Sequence, residues 1–160
     1  MNAIYSEPAR AIDYKQLNVQ CPAFPEGGMI PEKYTCDGKN ISPPFVIHHI
    51  PEEAICLAII AEDPDAPGGT WVHWLVWNMP VSGHIAENNM HGIRGLNDFG
   101  TDAYRGPCPP SGTHHYIFKF YALDMMLDLP AGSRRYEMGK NLSSHIIAFG
   151  EYSGIYSRKK

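Results

Sequence analysis

Hydrophobic positions in this chain fall into short runs, not long helical stripes. Phe45-Val46-Ile47-His48-His49-Ile50 and Ile55-Cys56-Leu57-Ala58-Ile59-Ile60-Ala61 are rich in β-branched residues and separated by Pro51-Glu52-Glu53. That pattern predicts a hairpin whose second strand is buried on both faces. Val72 to Met79 is apolar at both parities and predicts another central strand. Period-two geometry puts His73 on one face with Leu75 and Trp77, and Trp74 and Val76 on the other. In the strand predicted from His114 to Leu123, His114, Tyr116, Phe118 and Phe120 share a face. Leu17 to Cys21 alternates as a half-buried strand does, and Tyr152 to Tyr156 predicts a final one. Helical text comes late: Ser133 can cap a short helix through about Asn141, and Ser143 or Ser144 a second through Phe149, closed by Gly150.

Between these runs the chain is dense in Gly and Pro. Residues 1–16 are polar and irregular, and Pro22 to Pro44 and Pro80 to Gly112 read as long loops of a kind that often carries function. No repeat or linker divides residues 1–160, which are read as one domain with a core over about 17–157. Several strands with long connections predict a mainly β fold, an antiparallel β-sandwich with short helices near the C-terminus.

Composition narrows the function classes. A net charge of −4 and a pI near 6.0 argue against a nucleic-acid binder, and 44% hydrophobic residues suffice for a core. Arg158-Lys159-Lys160 is read as a solvated end. The longest apolar run, Ala54 to Ala61, is far short of the roughly 20 residues that span a bilayer, so no integral membrane segment is expected. The first residues lack the pattern of a secretory signal. Cys21, Cys36, Cys56 and Cys108 form no C-x-x-C pair and are read as reduced thiols of a cytoplasmic protein, with Cys56 a buried hydrophobe and a Cys21–Cys36 bridge as the alternative.

Candidate chemistry gathers at two loop–strand junctions. The first is Asp63-Pro64-Asp65-Ala66-Pro67-Gly68-Gly69 before Trp71 and His73; the second is Gly106-Pro107-Cys108-Pro109-Pro110-Ser111-Gly112 before His114, His115 and Tyr116. If the strands share a sheet, the imidazoles and the Tyr116 hydroxyl converge with Asp63. Imidazoles, a phenol and turn amides suit an anion with several acceptor oxygens, such as phosphate, and a nearby carboxylate would favour a charged imidazole. Singly, each residue has a plain structural role: a satisfied histidine at a strand start, turn-forming aspartates, tryptophans in the core. The repetition of the pattern lifts the binding reading. Catalysis draws less support. Zinc through His73, His114 and Cys108 or Asp63 lacks a tight ligand pair, Ser111 lies in no G-x-S-x-G elbow, and no P-loop is present.

Both junctions resemble the signature segments of the phosphatidylethanolamine-binding protein family, particularly its bacterial and archaeal branch. The first is the Asp-Pro-Asp-Ala-Pro loop followed by Trp-x-His; the second is the Gly-Pro-rich turn before a His-x-Tyr, with His115 where the family has Arg. Ile30 to Gly38 and Asn40 to Pro44 are similar to the family as well. The resemblance implies a Greek-key sandwich with a small anion pocket lined by Asp63, Trp71, His73, His114 and Tyr116. The backbone of Gly106, Pro107 and Cys108 would donate to phosphate oxygens, and Asp65, Pro64, Pro67 and Pro109 would support the pocket. It further implies a non-catalytic binder of phosphate-containing small molecules or head groups, with no metal or cofactor, and a kinase or protease as a protein partner. The chain ends soon after its last strand, without the C-terminal helix of eukaryotic members, which leaves one side open or covered by the second subunit of a homodimer.

Overall fold

The computed structural model describes residues 15–158. The readings of residues 1–14 and of Lys159-Lys160 lie outside them. Among the described residues the strands are β1 (Lys15–Gln16), β2 (Asn18–Gln20), β3 (Phe45–His48), β4 (Cys56–Asp63), β5 (Trp71–Met79), β6 (His84–Ile85), β7 (Ile93–Arg94), β8 (His114–Leu123) and β9 (Ile146–Tyr156). One helix, α1 (Arg135–Leu142), precedes β9, and a 3-10 turn covers Glu32–Tyr34.

The strands form two sheets. The larger runs β1-β9-β8-β4-β5-β7, and the smaller β2-β3-β6. Within the larger, β4, β5 and β7 lie side by side and β8 returns to the free edge of β4, the order of a Greek key. All pairs are antiparallel except β1 with β9. Phe45 and Ile47 of β3 meet Ile59, Trp74, Val76, Phe118 and Phe120 in the core between the sheets. A second core lies on the outer face of the large sheet, where Ala58, Ile60, Leu75 and Trp77 pack against Leu127, Leu129, Met138 and Leu142. β4 is buried along its whole length, which its uninterrupted apolar run demands.

The structure departs from the sequence reading in five places. β3 and β4 form no hairpin, because β3 pairs with β2 and β6 in the small sheet while β4 joins the large one. Lys15-Gln16, expected to be irregular, form β1, and the second long loop carries the two-residue strands β6 and β7. The first helix begins one residue later than expected. Arg134 is its N-cap, the Glu137 carboxylate accepts the Arg134 amide at 2.8 Å, and the Ser133 hydroxyl donates to the Pro130 carbonyl instead.

The second helix does not exist: Ile146 to Phe149 begin an eleven-residue strand. Ala148, Gly150, Tyr152, Gly154 and Tyr156 are buried alternately along it, a period of two that outweighs the short helix-like opening. Gly150 closes no helix. A Cβ there would lie 2.7 Å from the Leu17 carbonyl oxygen, so glycine lets the neighbouring chain approach.

Candidate functional site

β4 runs between β5 and β8 and antiparallel to both, so its C-terminal carboxylate arrives at the N-terminal ends of its two neighbours. Asp63 is in register with Trp71, and lies one step beyond the Glu62–Ile117 pair, beside Tyr116. Topology alone brings together three parts of the expected site.

His73 reaches it through a bulge. The β4–β5 register shifts between Ala61, which faces Trp74, and Glu62, which faces Val72, leaving His73 as the extra residue. Val72 consequently packs with Leu75 and Trp77 in the outer core, while the His73 ring lies 5.4 Å from Tyr116 and 5.2 Å from Phe99. The strict alternation expected from sequence is corrected by this one residue.

The His73 Nδ1–H donates to the Arg105 carbonyl at 2.6 Å, which leaves Nε2 of the neutral ring as an acceptor. Burial holds the His73 pKa below the usual histidine value and outweighs the pull of the Arg105 carbonyl and of Asp63 and Asp98. The charged imidazole expected from sequence is therefore not supplied by His73. His114 is the imidazole that Asp63 orients: its Nδ1–H donates to Asp63 Oδ2 at 2.6 Å, and its ring stacks on Tyr116 at 6.4 Å.

Tyr116 stands between the two histidines, 3% exposed, and its buried hydroxyl makes no well-formed hydrogen bond, the Asp63 carboxylate and the Cys108 amide being the polar groups nearest to it. Burial and then the neighbouring Asp63 carboxylate raise its pKa, against a smaller opposing effect of the Cys108 amide. A buried hydroxyl left without a good partner costs about 1–3 kcal/mol.

Asp65 turns to His115 instead. Its amide donates to Asp63 Oδ1 at 2.8 Å, and its own Oδ2 accepts the His115 amide and Nδ1–H at 2.8 and 2.7 Å. Those bonds, the His115 side chain first, hold its carboxyl below the usual range. Pro64 and Pro67 sit in the exposed turn that joins β4 to β5, and Pro109 is buried beside Cys108. Trp71, at 38% exposed, sits at the rim with its ring edge-on to Phe99 at 5.6 Å.

The loops around His73 and Gly106 bring in two asparagines to which the sequence reading gave no role at the site, Asn97 and Asn40. Asn97 is 1% exposed; its amide donates to the Ala103 carbonyl at 2.8 Å and to the His73 carbonyl at 3.3 Å, while its Oδ1 accepts the amides of Phe99 and Thr101. Asn40, at φ 62°, turns its Oδ1 to the Gly106 amide at 2.7 Å. A Cβ on Gly106 would fall 2.0 Å from the Tyr34 carbonyl oxygen, so only glycine lets the two loops meet. Their sequence signal is faint: both asparagines lie in loop text, where a capping role looks like any other polar residue.

These contacts alter the expected donor set. The Gly106 amide is taken by Asn40, Pro107 has no N–H and instead accepts the Cys36 amide at 3.1 Å, and Cys108 retains the amide near Tyr116. Cys36 and Cys108 are joined in a disulfide, their Cα atoms 5.4 Å apart, while Cys21 and Cys56 are free. Neither the set of four reduced thiols nor the Cys21–Cys36 alternative holds, and the cysteines lend no support to a cytoplasmic location. No helix among the described residues is long and apolar enough to cross a membrane. No three His, Cys, Asp or Glu side chains converge as a metal site among them.

The family model described as phosphatidylethanolamine-binding protein matches residues 20–157. A UPF0098 protein of Methanothermobacter thermautotrophicus is 42% identical over 150 residues, 89% of this chain and 99% of that protein. A UPF0098 protein of Chlamydia trachomatis is 41% identical, covering 89% and 99%. The crystal structure of a phosphatidylethanolamine-binding protein homologue from Chlamydia trachomatis superposes with a TM-score of 0.86 at 38% identity, covering 91% of this chain and 99% of that one. YbcL of E. coli, described as a member of the mammalian family, gives 0.82 at 29% identity, covering 90% and 99%. With the Asp-Pro-Asp-Ala-Pro and His-x-Tyr segments meeting at one sheet end and the family model spanning nearly all described residues, the chain belongs to the phosphatidylethanolamine-binding protein family.

Proposed function

We propose that this chain is a non-catalytic binding protein whose pocket between β5 and β8 takes a small oxyanion, a phosphate or a phosphorylated small molecule or head group. The observation that carries this reading is the buried Tyr116 hydroxyl, without a well-formed hydrogen bond of its own, between His73 and the Asp63–His114 pair. A phosphate oxygen would accept from that hydroxyl and from the Cys108 amide. Nε2 of neutral His73 would accept from a protonated phosphate oxygen, since its other nitrogen already donates to Arg105. Asp63 takes no part directly: its two oxygens are occupied by the Asp65 amide and by His114, so it acts as a positioning group.

The absence of an activated nucleophile in this arrangement favours binding over turnover. Asp63 and His114 form an oriented pair, but among the described residues no serine hydroxyl or cysteine thiol is hydrogen-bonded to that histidine, and Cys108 is in a disulfide. The names of the family and of the homologues point the same way. The test is calorimetry with inorganic phosphate and with O-phosphoethanolamine, on the wild type and Tyr116→Phe. Loss of the hydroxyl removes one donor to a charged oxygen and should weaken binding roughly tenfold or more. Equal affinity in the two proteins would remove the pocket from the account.

A further inference from the structure

The expected pocket lacks a fixed positive charge at β8, because His115 occupies the position of the family's arginine and turns outward to Asp65. His73 donates to a carbonyl and His114 to a carboxylate. An anion entering here needs a counter-charge from elsewhere.

Arg105 is placed to give it. Its backbone is laced to the bulge, with its amide donating to the His73 carbonyl at 3.3 Å and its carbonyl accepting His73 Nδ1–H. The side chain turns onto Phe99, the guanidinium carbon 4.7 Å from the ring centroid. Phe99 is the same ring that touches His73 and Trp71, so the guanidinium, the imidazole and the indole are arranged around one aromatic plate. The half-buried Arg105 forms no ion pair among the described residues, whereas nearby Arg94 reaches Asp102 at 3.8 Å. A guanidinium stacked on an aromatic face keeps its in-plane N–H donors free for a second partner.

We propose that Arg105, held on Phe99, is the cation that reads the bound oxyanion and replaces the charge absent at His115. The inference rests on the oxyanion reading of the pocket and adds to it the residue that confers charge selectivity. Phosphate on a free monoester and phosphate in a lipid head group present the same oxygens to a guanidinium fork, which can bind two of them at once.

The test uses the full chain as four proteins, the wild type and the three variants Arg105→Gln, Arg105→Lys and Tyr116→Phe. Each is titrated with inorganic phosphate, with O-phosphoethanolamine and with vesicles containing phosphatidylethanolamine, and each is melted. Arg105→Gln should weaken phosphate binding about 10- to 100-fold at an unchanged melting temperature, and Arg105→Lys should recover part of that loss. The slope of log affinity against log salt should flatten in Arg105→Gln and persist in Tyr116→Phe, which separates a charge contact from a shape effect. Binding of the small ligands alone, or of vesicles too, identifies the source of the phosphate, and Arg105 dependence in either arm upholds the proposal. Wild-type affinity in Arg105→Gln overturns it while leaving the pocket intact. Equal losses in both Arg105 variants with a lowered melting temperature overturn it in favour of a structural role. No binding of any probe by the wild type overturns the pocket reading and the role of Arg105 with it.

Discussion

His73 shows how much one residue's setting can invert a reading of its type. Sequence alone makes it a switchable cation; the bulge buries it and turns its Nδ1–H to the Arg105 carbonyl. Burial lowers its pKa in the folded chain, so between the ordinary histidine value of about 6.5 and its folded value the unfolded chain binds the extra proton. Stability should therefore be complete above about pH 6.5 and decline as pH falls through that window. Denaturant melts of wild type and His73→Gln from pH 7.5 to 5 test this: the variant should lose part of the acid-side slope, and identical slopes would mean that His73 contributes nothing to it. Asn97 belongs to the same scale. A fully buried carboxamide that ties its own loop to the His73 carbonyl was invisible among loop residues, because hydrophobic periodicity reports on cores and not on polar scaffolds.

At the scale of elements, α1 is held to the large sheet by an ionic contact as well as by Met138 and Leu142. Glu62, on the face of β4 opposite the site, meets Arg135 of α1 at 2.8 Å and Lys119 of β8 at 2.9 Å. Burial alone would raise the Glu62 pKa, but Arg135 and Lys119 outweigh it and hold it below the usual glutamate value. The stability this contributes is present above about pH 4.3 and lost as pH falls below it. Glu62→Gln removes the shared anion from two partly covered cations and should cost about 2–4 kcal/mol in urea unfolding, with the loss fading in acid. A change within 0.5 kcal/mol at neutral pH would show that packing alone fixes α1. The elements themselves were legible where apolar runs were long and continuous, as in β4, β5 and β8. They were not where two-residue strands such as β6 and β7 are completed by a partner, or where a helix-like tetrapeptide continues into a strand that pairs along its whole length with β8.

For the whole molecule, the Cys36–Cys108 bond joins segments 72 residues apart in sequence, the loop that follows the 3-10 turn and the turn that precedes β8. Closing a loop of that length stabilises a fold by about 2–5 kcal/mol. Replacing both cysteines with serine should lower the unfolding free energy by that amount and slacken the Cys108 amide at the pocket. Melts with and without reductant, alongside phosphate titration of the double variant, measure both effects. Unchanged stability in the Cys36→Ser/Cys108→Ser variant would mean that the bond from the Gly106 amide to the Asn40 side chain and the Cys36–Pro107 backbone bond hold the two loops unaided.

What the sequence determined by itself is the set of strongly apolar strands, the mainly β class and the two junctions that carry polar groups on stiff loops. Each is written locally, in alternation, in β-branched runs and in Pro and Gly. What only the tertiary structure decided is which ends meet and what state the groups hold there. β4 passes between β5 and β8, so Asp63 orients His114 and not His73. A one-residue bulge turns His73 inward, the disulfide fixes the Cys108 turn, and the Arg105 guanidinium stacks on Phe99. Register, bulges and cross-loop bonds depend on partners tens of residues away, and no local pattern encodes them.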